Sequence, residues 1–327
     1  MKRLIRILAV AMIMALVAAC GEQRMTGGGG ADAGTDFPEG PIKLIFPFAA
    51  GSPGDVNARA LAKEATKSLG VEVQVVDRPG AAGTIGATEA VQAKSDGYTL
   101  GFVPIAPMTV QPQRTDLAYQ GPDDYEPVIG LTLVAEAISV PADSPYETLE
   151  DLVDAAKSEK KAVAVSGKGT ILDIDARLLA EESQSKLETV SYDGEQQLLA
   201  AMLGGTTDAA VSGVSAVQPF VDAKEARVLA VFAEERVPTM PDTPTTKELG
   251  YDVTFGVTNF IFAPKGTDPA VIDKLHQGFH EAWKSDAYQD YLEKAGFIPQ
   301  YMPPDELRTF LEQEYEKYGE VVQTLDL

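Results

Sequence analysis

Two glycine-bearing turns, each set between a short apolar strand and a helix, are the part of this chain best suited to chemistry. The first reads Ala49-Ala50-Gly51-Ser52-Pro53-Gly54 and opens a helix at Asp55; the second reads Ser166-Gly167-Lys168-Gly169-Thr170. A tight turn running into a helix N-terminus aims several unpaired backbone N–H groups in one direction. With the helix dipole, this makes an anion site that needs no basic side chain. Glycine suits such a turn because a Cβ would obstruct either the ligand or the backbone angles. A lone turn of this kind is usually a mere connection. Two of them can grip two carboxylates, or the two ends of one ligand. Lys168 is the only cation inside either turn and is a candidate counter-charge.

The rest of the composition narrows the chemistry. The chain has 327 residues, 27 Lys+Arg against 49 Asp+Glu, a net charge of −22, and 45% apolar residues. That apolar content supports a sizeable core and excludes a wholly disordered chain. The acidity argues against nucleic acid, which wants a basic surface. It also repels anions at long range, so an acidic ligand must be held by local N–H groups in an enclosed cleft. One cysteine and two histidines leave no disulfide framework and little for a metal site. His276 and His280 stand at i, i+4, but without a third ligand they read as a solvated helix pair. No cofactor is called for, and neither G-x-S-x-G nor H-E-x-x-H nor a Walker lysine motif occurs.

The elements that must position the turns can be read from periodicity. Ile42 to Phe46 forms a strand, and the helix after the first turn carries Ala58, Leu61 and Ala65 on one face before stopping at Gly70. Val71 to Val76 is the next strand. Ala162 to Val165 leads into the second turn, and its helix continues through Ile174, Leu178 and Leu179. Strands alternating with helices indicate an α/β architecture with largely parallel sheets, and the length suits two lobes. Asp268-Pro269 caps a helix whose apolar face is Ile272, Leu275, Phe279 and Trp283. A last helix from about Pro304 buries Leu307, Leu311 and Tyr318; Tyr315 and Tyr318 read as packing groups.

At the N-terminus, Lys2, Arg3 and Arg6 precede the apolar run Ile7–Ala19, shorter than the ~20 residues of a membrane-spanning helix and suited to a secretory signal. Leu16-Val17-Ala18-Ala19-Cys20-Gly21 resembles a bacterial lipobox, which implies cleavage after residue 19 and lipidation of Cys20. Residues 20–40, with Gly27-Gly28-Gly29-Gly30, read as a tether between lipid and domain. The expected location is extracytoplasmic, anchored at the outer face of a membrane.

Several segments together carry a family resemblance. Phe46-Pro47-Phe48-Ala49-Ala50-Gly51-Ser52-Pro53-Gly54-Asp55 resembles "PFAAGGxxD", Asp77 to Ala87 resembles "NRPGAGGxIGA", and Asp96-Gly97-Tyr98-Thr99-Leu100 matches "DGYTL". Val190-Ser191-Tyr192-Asp193-Gly194 is similar to "VPYKG", Leu203 to Asp208 to "LLGGQVD", and Ala263-Pro264-Lys265-Gly266-Thr267 to "APAGT". In order over roughly residues 41–320, these identify the chain as resembling the substrate-binding proteins of tripartite tricarboxylate transporters, the Bug family. The resemblance implies an α/β, two-lobed periplasmic-binding fold (type II-like), with a hinge and a central cleft. The expected lobes are 41–137 plus 258–327, and 138–257, with crossings near Ala135–Val140 and Thr254–Ile261. The implied task is to capture a small organic acid, whether mono-, di- or tricarboxylate, as a monomer and deliver it to integral-membrane permease subunits. The implied ligand set is Phe48, Ala49, Ala50, Gly51, Ser52 and Asp55 from the first turn, Ser166, Gly167, Lys168, Gly169 and Thr170 from the second, and Tyr192 and Asp208. Asp55 reads either as a helix cap or as a group also facing the cleft.

Departures from the pattern bear on specificity. Where the family has "G-T-P-S-H", this chain has Gly169-Thr170-Ile171-Leu172-Asp173; Asp193 replaces a lysine and Asp77 an asparagine. Leu172 and Asp173 are expected to leave the second lobe more negative and less polar, so that a monocarboxylate with an apolar or aminated tail suits as well as citrate. Two other classes remain open: a sensor presenting its closed form to a membrane receptor, and an enzyme on a similar fold.

Overall fold

The apolar run of β1 (Ile42–Phe46) is buried at four of its five positions, as a strand covered on both faces requires. It pairs in parallel with β2 (Val73–Asp77) on one side and β3 (Thr99–Pro104) on the other. The structure, a computed structural model, describes residues 37–327; the signal segment, Cys20 and most of the tether lie outside the described residues. Phe37 packs edge-on against Tyr98 with ring centroids 5.1 Å apart. The expected tether therefore ends before residue 37 rather than at residue 40.

Helix α1 (Pro53–Leu69) follows β1 and lays Ala58, Leu61 and Ala65 on the sheet without exposure. It begins two residues before Asp55, because Ser52 is the cap and Pro53 occupies the first helical position, where its missing N–H costs nothing. Gly70, at φ 73°, ends it. Beside it lies α9 (Pro269–Trp283), whose Leu275 and Phe279 are fully buried in the same core; burial of each such side chain contributes roughly 1.5–3 kcal/mol. The Asp268 side chain accepts from Ala270 N, as its place before Pro269 predicts.

One long strand organises the molecule. β4 (Tyr125–Pro141) runs for 17 residues, nearly all buried. From Tyr125 to Ala135 it pairs antiparallel with β9 (Gly256–Pro264), which in turn pairs with β3; β10 (Ile298–Met302) lies against β4 over Gly130–Leu133. From Glu136 to Pro141 the same strand pairs instead with β7 (Ala209–Gly213) and β8 (Ala226–Phe232). A parallel group, β6 (Leu187–Ser191), β5 (Lys161–Val165) and β7, completes the second set. The strand order β2-β1-β3-β9-β4-β7-β5-β6 is thus two α/β lobes sharing β4. In the second lobe, α6 (Ile171–Glu182) follows β5 as α1 follows β1, and α7 (Glu195–Leu203) follows β6. The closing helix α11 (Pro304–Thr324) buries Leu307, Leu311 and Tyr318. Tyr318 packs on Phe255 at 5.3 Å, in keeping with a packing role.

The histidine pair departs from the sequence reading. His276 and His280 are half-buried rather than solvated: His276 Nδ1 lies 3.0 Å from Val128 O, its Nε2 3.2 Å from Tyr301 Oη, and His280 stacks on Tyr301 at 4.2 Å. Burial lowers the pKa of His280.

Candidate ligand-binding cleft

The two turns repeat one hydrogen-bond pattern in full. Ser52 caps α1 by accepting from Asp55 N at 3.3 Å; Thr170 caps α6 by accepting from Asp173 N at 3.4 Å. Each aspartate then reaches back to the glycine before the cap, Asp55 Oδ2 to Gly51 N at 2.7 Å and Asp173 Oδ2 to Gly169 N at 2.9 Å. Its other oxygen meets the arginine one turn later, Arg59 Nε at 2.7 Å and Arg177 Nε at 2.9 Å. The chain therefore contains G-[ST]-x-x-D-x-x-x-R twice, at 51–59 and 169–177. Both glycines sit at positive φ, 79° and 71°. For Gly51 that backbone angle is the whole requirement, because a Cβ there would touch nothing within 4 Å.

What the turns leave free faces a cavity of about 520 Å³. The helix-opening residues Gly54, Ile171 and Leu172 all line it, and their N–H groups have no protein partner among the described residues. Both capping hydroxyls line it too. The Ser52 hydroxyl only accepts, leaving its proton available, whereas Thr170 Oγ1 donates to Gly167 O at 3.0 Å. Phe46 and Phe48 supply an apolar wall, Gly80 to Gly83 another, and Val134, Glu136, Val257 and Asn259 come from the shared strands. In the Pro79–Gly83 segment Ala81 and Ala82 hold positive φ of 48° and 51°, a left-handed conformation uncommon for residues with a Cβ. Among the described residues, the lining contains no lysine, arginine or histidine.

The sequence-predicted set divides accordingly. Phe48, Ala49, Ser52, Ser166, Gly167, Thr170 and Tyr192 line the cavity. Ala50, Gly51 and Gly169 shape the turns behind it. Asp55 closes the turn rather than lining the cavity: it is 3% exposed, one oxygen accepts from Gly51 N and the other lies 2.7 Å from Arg59 Nε. Asp173 is likewise fully buried and committed, so the expectation that it charges the cleft is corrected; of the acidic replacements only Asp193 lines the cavity. Asp77 is held by Arg59 at 2.7 Å. Lys168 points its side chain to solvent, and only its carbonyl is used, accepting from Arg114 at 3.0 Å. Asp208 is at the far end of the second sheet, accepting from Ala162 N at 2.8 Å where β5 begins, whereas the cleft lies where β5 ends.

Sequence reading missed Glu136, Glu195, Ser215 and Asn259, which come from four different elements, and the pair Gln111 and Arg114. Gln111 Nε2 donates to Gly169 O at 2.9 Å, so a short helix of the first lobe holds the second turn. No periodicity announces such contacts. Gly80-Ala81-Ala82-Gly83, by contrast, carried a signal in its run of small residues.

The description "Tripartite tricarboxylate transporter family receptor" matches residues 57–327. The chain belongs to this family. A UPF0065 protein from the gbd 5' region of Cupriavidus necator is 32% identical over 322 residues, 98% of this chain and 97% of that one. The solved structure of periplasmic binding protein BugD is 27% identical, with a TM-score of 0.82 over 89% of this chain and 99% of its own. That of MatC from Rhodopseudomonas palustris with bound malate is 26% identical, with a TM-score of 0.81 over 88% and 100%. As a member of this receptor family, the protein is a solute-binding protein of the Bug type and not an enzyme. No helix among the described residues is long and apolar enough to cross a membrane.

Proposed function

We propose that this receptor captures a small carboxylate outside the cytoplasm, between lobes 41–137 plus 258–327 and 138–257, and passes it to the membrane subunits of a tripartite tricarboxylate-type permease. One observation carries the reading: the same capped turn occurs once in each lobe, and helix-opening residues of both, whose N–H groups have no protein partner among the described residues, line one cavity. A carboxylate there receives Gly54 N–H and the Ser52 hydroxyl from one side and Ile171 and Leu172 N–H from the other. Each helix dipole adds to the attraction in a place shielded from the acidic surface. The change of partners along β4 between Ala135 and Glu136 supports a hinge there, with β9 as the second strand of the crossing. The malate bound by MatC supports the ligand class. Cys20, through its lipobox, would anchor the chain.

Calorimetric and thermal-shift titration of the purified chain against mono-, di- and tricarboxylates, amino acids and neutral compounds tests this reading. A carboxylate hit raises the melting temperature with concentration, because it binds only the folded state. It is weakened by Gly169→Pro and Gly51→Pro, which disrupt the turns. Binding confined to neutral or purely cationic compounds overturns the assignment. Incorporation of a labelled fatty acid that disappears in Cys20→Ser tests the anchor.

A further inference from the structure

The wall of the cavity formed by the shared strand contains an acid that the carboxylate reading does not use. Glu136 opens the stretch of β4 that pairs with the second lobe, is 1% exposed, lines the cavity, and its Oε2 has no hydrogen-bond partner. Glu195, at the start of α7, lines the same cavity; one of its oxygens accepts from Gly213 N at 3.1 Å. Asp193 stands two residues away on the lining. Among the described residues the lining holds no cationic side chain to answer these carboxyls, and a buried carboxyl without a partner is costly. Three acids and an unpartnered buried oxygen around one cavity thus form a complementary site for positive charge, while the helix N-termini of the same cavity serve negative charge.

We propose that the ligand is an amino acid in the broad sense, a carboxylate that also bears a cationic nitrogen, with Glu136 and Glu195 receiving the nitrogen. This deepens the carboxylate reading above and rests on it. The division of labour is chemical: N–H dipoles at the two turns fix the carboxylate, and the carboxyls at the shared strand discriminate by what the tail carries. An acid lacking the nitrogen leaves Glu136 unpartnered and brings its own charge toward two more carboxyls. Selectivity of this kind, made by leaving a buried group unpaired with the wrong ligand, is stronger than selectivity by apolar fit. Burial, together with Glu195 and Asp175, pushes the Glu136 pKa well above the usual carboxylate range, and Glu195 is pushed up to about 7. Asp175 faces Glu136 from α6, Tyr318 faces it from α11, and Glu314 and Lys317 lie beside them. An ammonium prefers the ionised carboxyl, so its affinity rises with pH through this range.

The test is calorimetry on the purified chain with acids matched but for one amine: succinate against aspartate, and hexanoate against 6-aminohexanoate. The aminated member of at least one pair should bind about tenfold more tightly or better. Glu136→Gln and Glu195→Gln should each remove most of that preference, weakening the aminated acid and tightening its unaminated partner, which no longer meets the lost charge. In the unaltered chain the aminated acid should lose about tenfold between pH 8 and pH 6, while its partner changes less. Unaminated acids binding as tightly as their partners, or a preference that survives both glutamine variants, overturns the proposal and leaves the carboxylate reading standing. No binding of any acid overturns both. Should Glu136→Gln fail to fold by its melting curve, Glu195→Gln and the pH series decide.

Discussion

The turns at 51–59 and 169–177 are built on one pattern and finished differently. Both place a glycine at positive φ, a hydroxyl cap, an aspartate that closes the turn and an arginine that neutralises it. In the first, Gly51 is exposed, Arg59 has a second acid in Asp77, and the Ser52 proton is uncommitted. In the second, Gly169 is buried, Arg177 has one acidic partner among the described residues, and Gln111 and Arg114 of the other lobe hold the turn's carbonyls. The first is a turn open to water with a donor to spare; the second is locked into the protein. Identical local chemistry therefore yields a permissive half-site and a rigid one, and burial makes the difference.

Removing the closing aspartate separates the two most sharply. Asp173→Ala strands a buried Gly169 N–H and the charge of Arg177, so it should cost about 3 kcal/mol in urea unfolding. Asp55→Ala exposes Gly51 N–H to water and leaves Arg59 its bond to Asp77, so about 1–2 kcal/mol is expected. Equal losses would erase the distinction between locked and open turns. The glycines should follow the same order with smaller effects. Gly169→Ala meets the Arg114 guanidinium as well as a strained φ, for about 2–3 kcal/mol; Gly51→Ala has only the φ strain, about 1 kcal/mol. Least in energy, but the best probe of ligand contact, are the caps. Ser52→Ala and Thr170→Val each lose a cap, yet only Ser52→Ala also loses a donor to the ligand. Calorimetry should show about tenfold weaker carboxylate binding for Ser52→Ala beyond any change in Thr170→Val.

The elements around the turns were legible because they obey short-range rules. Gly70 after Leu69 and Pro269 after Asp268 mark helix ends by backbone chemistry alone, whereas the start at Ser52-Pro53 lies two residues before the expected Asp55, and the apolar spacing of Ala58, Leu61 and Ala65 or Leu275 and Phe279 names the buried face. The position of both turns, each between a strand and a helix, was legible for the same reason. The role of each charged residue within them was not. Asp55 reads equally well as a cap or a cleft group, and Asp173 as a charge on the second lobe, until their oxygens are seen to lie against Gly51, Gly169 and the arginines. Lys168 sits between cleft residues yet is exposed to solvent, and no residue of the Leu203–Asp208 segment lines the cavity.

By itself, the sequence determined the α/β alternation, the two capped turns and the absence of basic side chains within most of the segments that meet at the cleft. All of these are properties of residues within a few positions of one another, where periodicity, caps and positive-φ glycines act. Only the tertiary structure decided that both turns face one cavity, that Gln111 and Arg114 of one lobe brace the turn of the other, and that Glu136 stands unpartnered where β4 passes between the lobes. Those facts depend on contacts between residues dozens to hundreds of positions apart, brought together by strand pairing that no local pattern encodes.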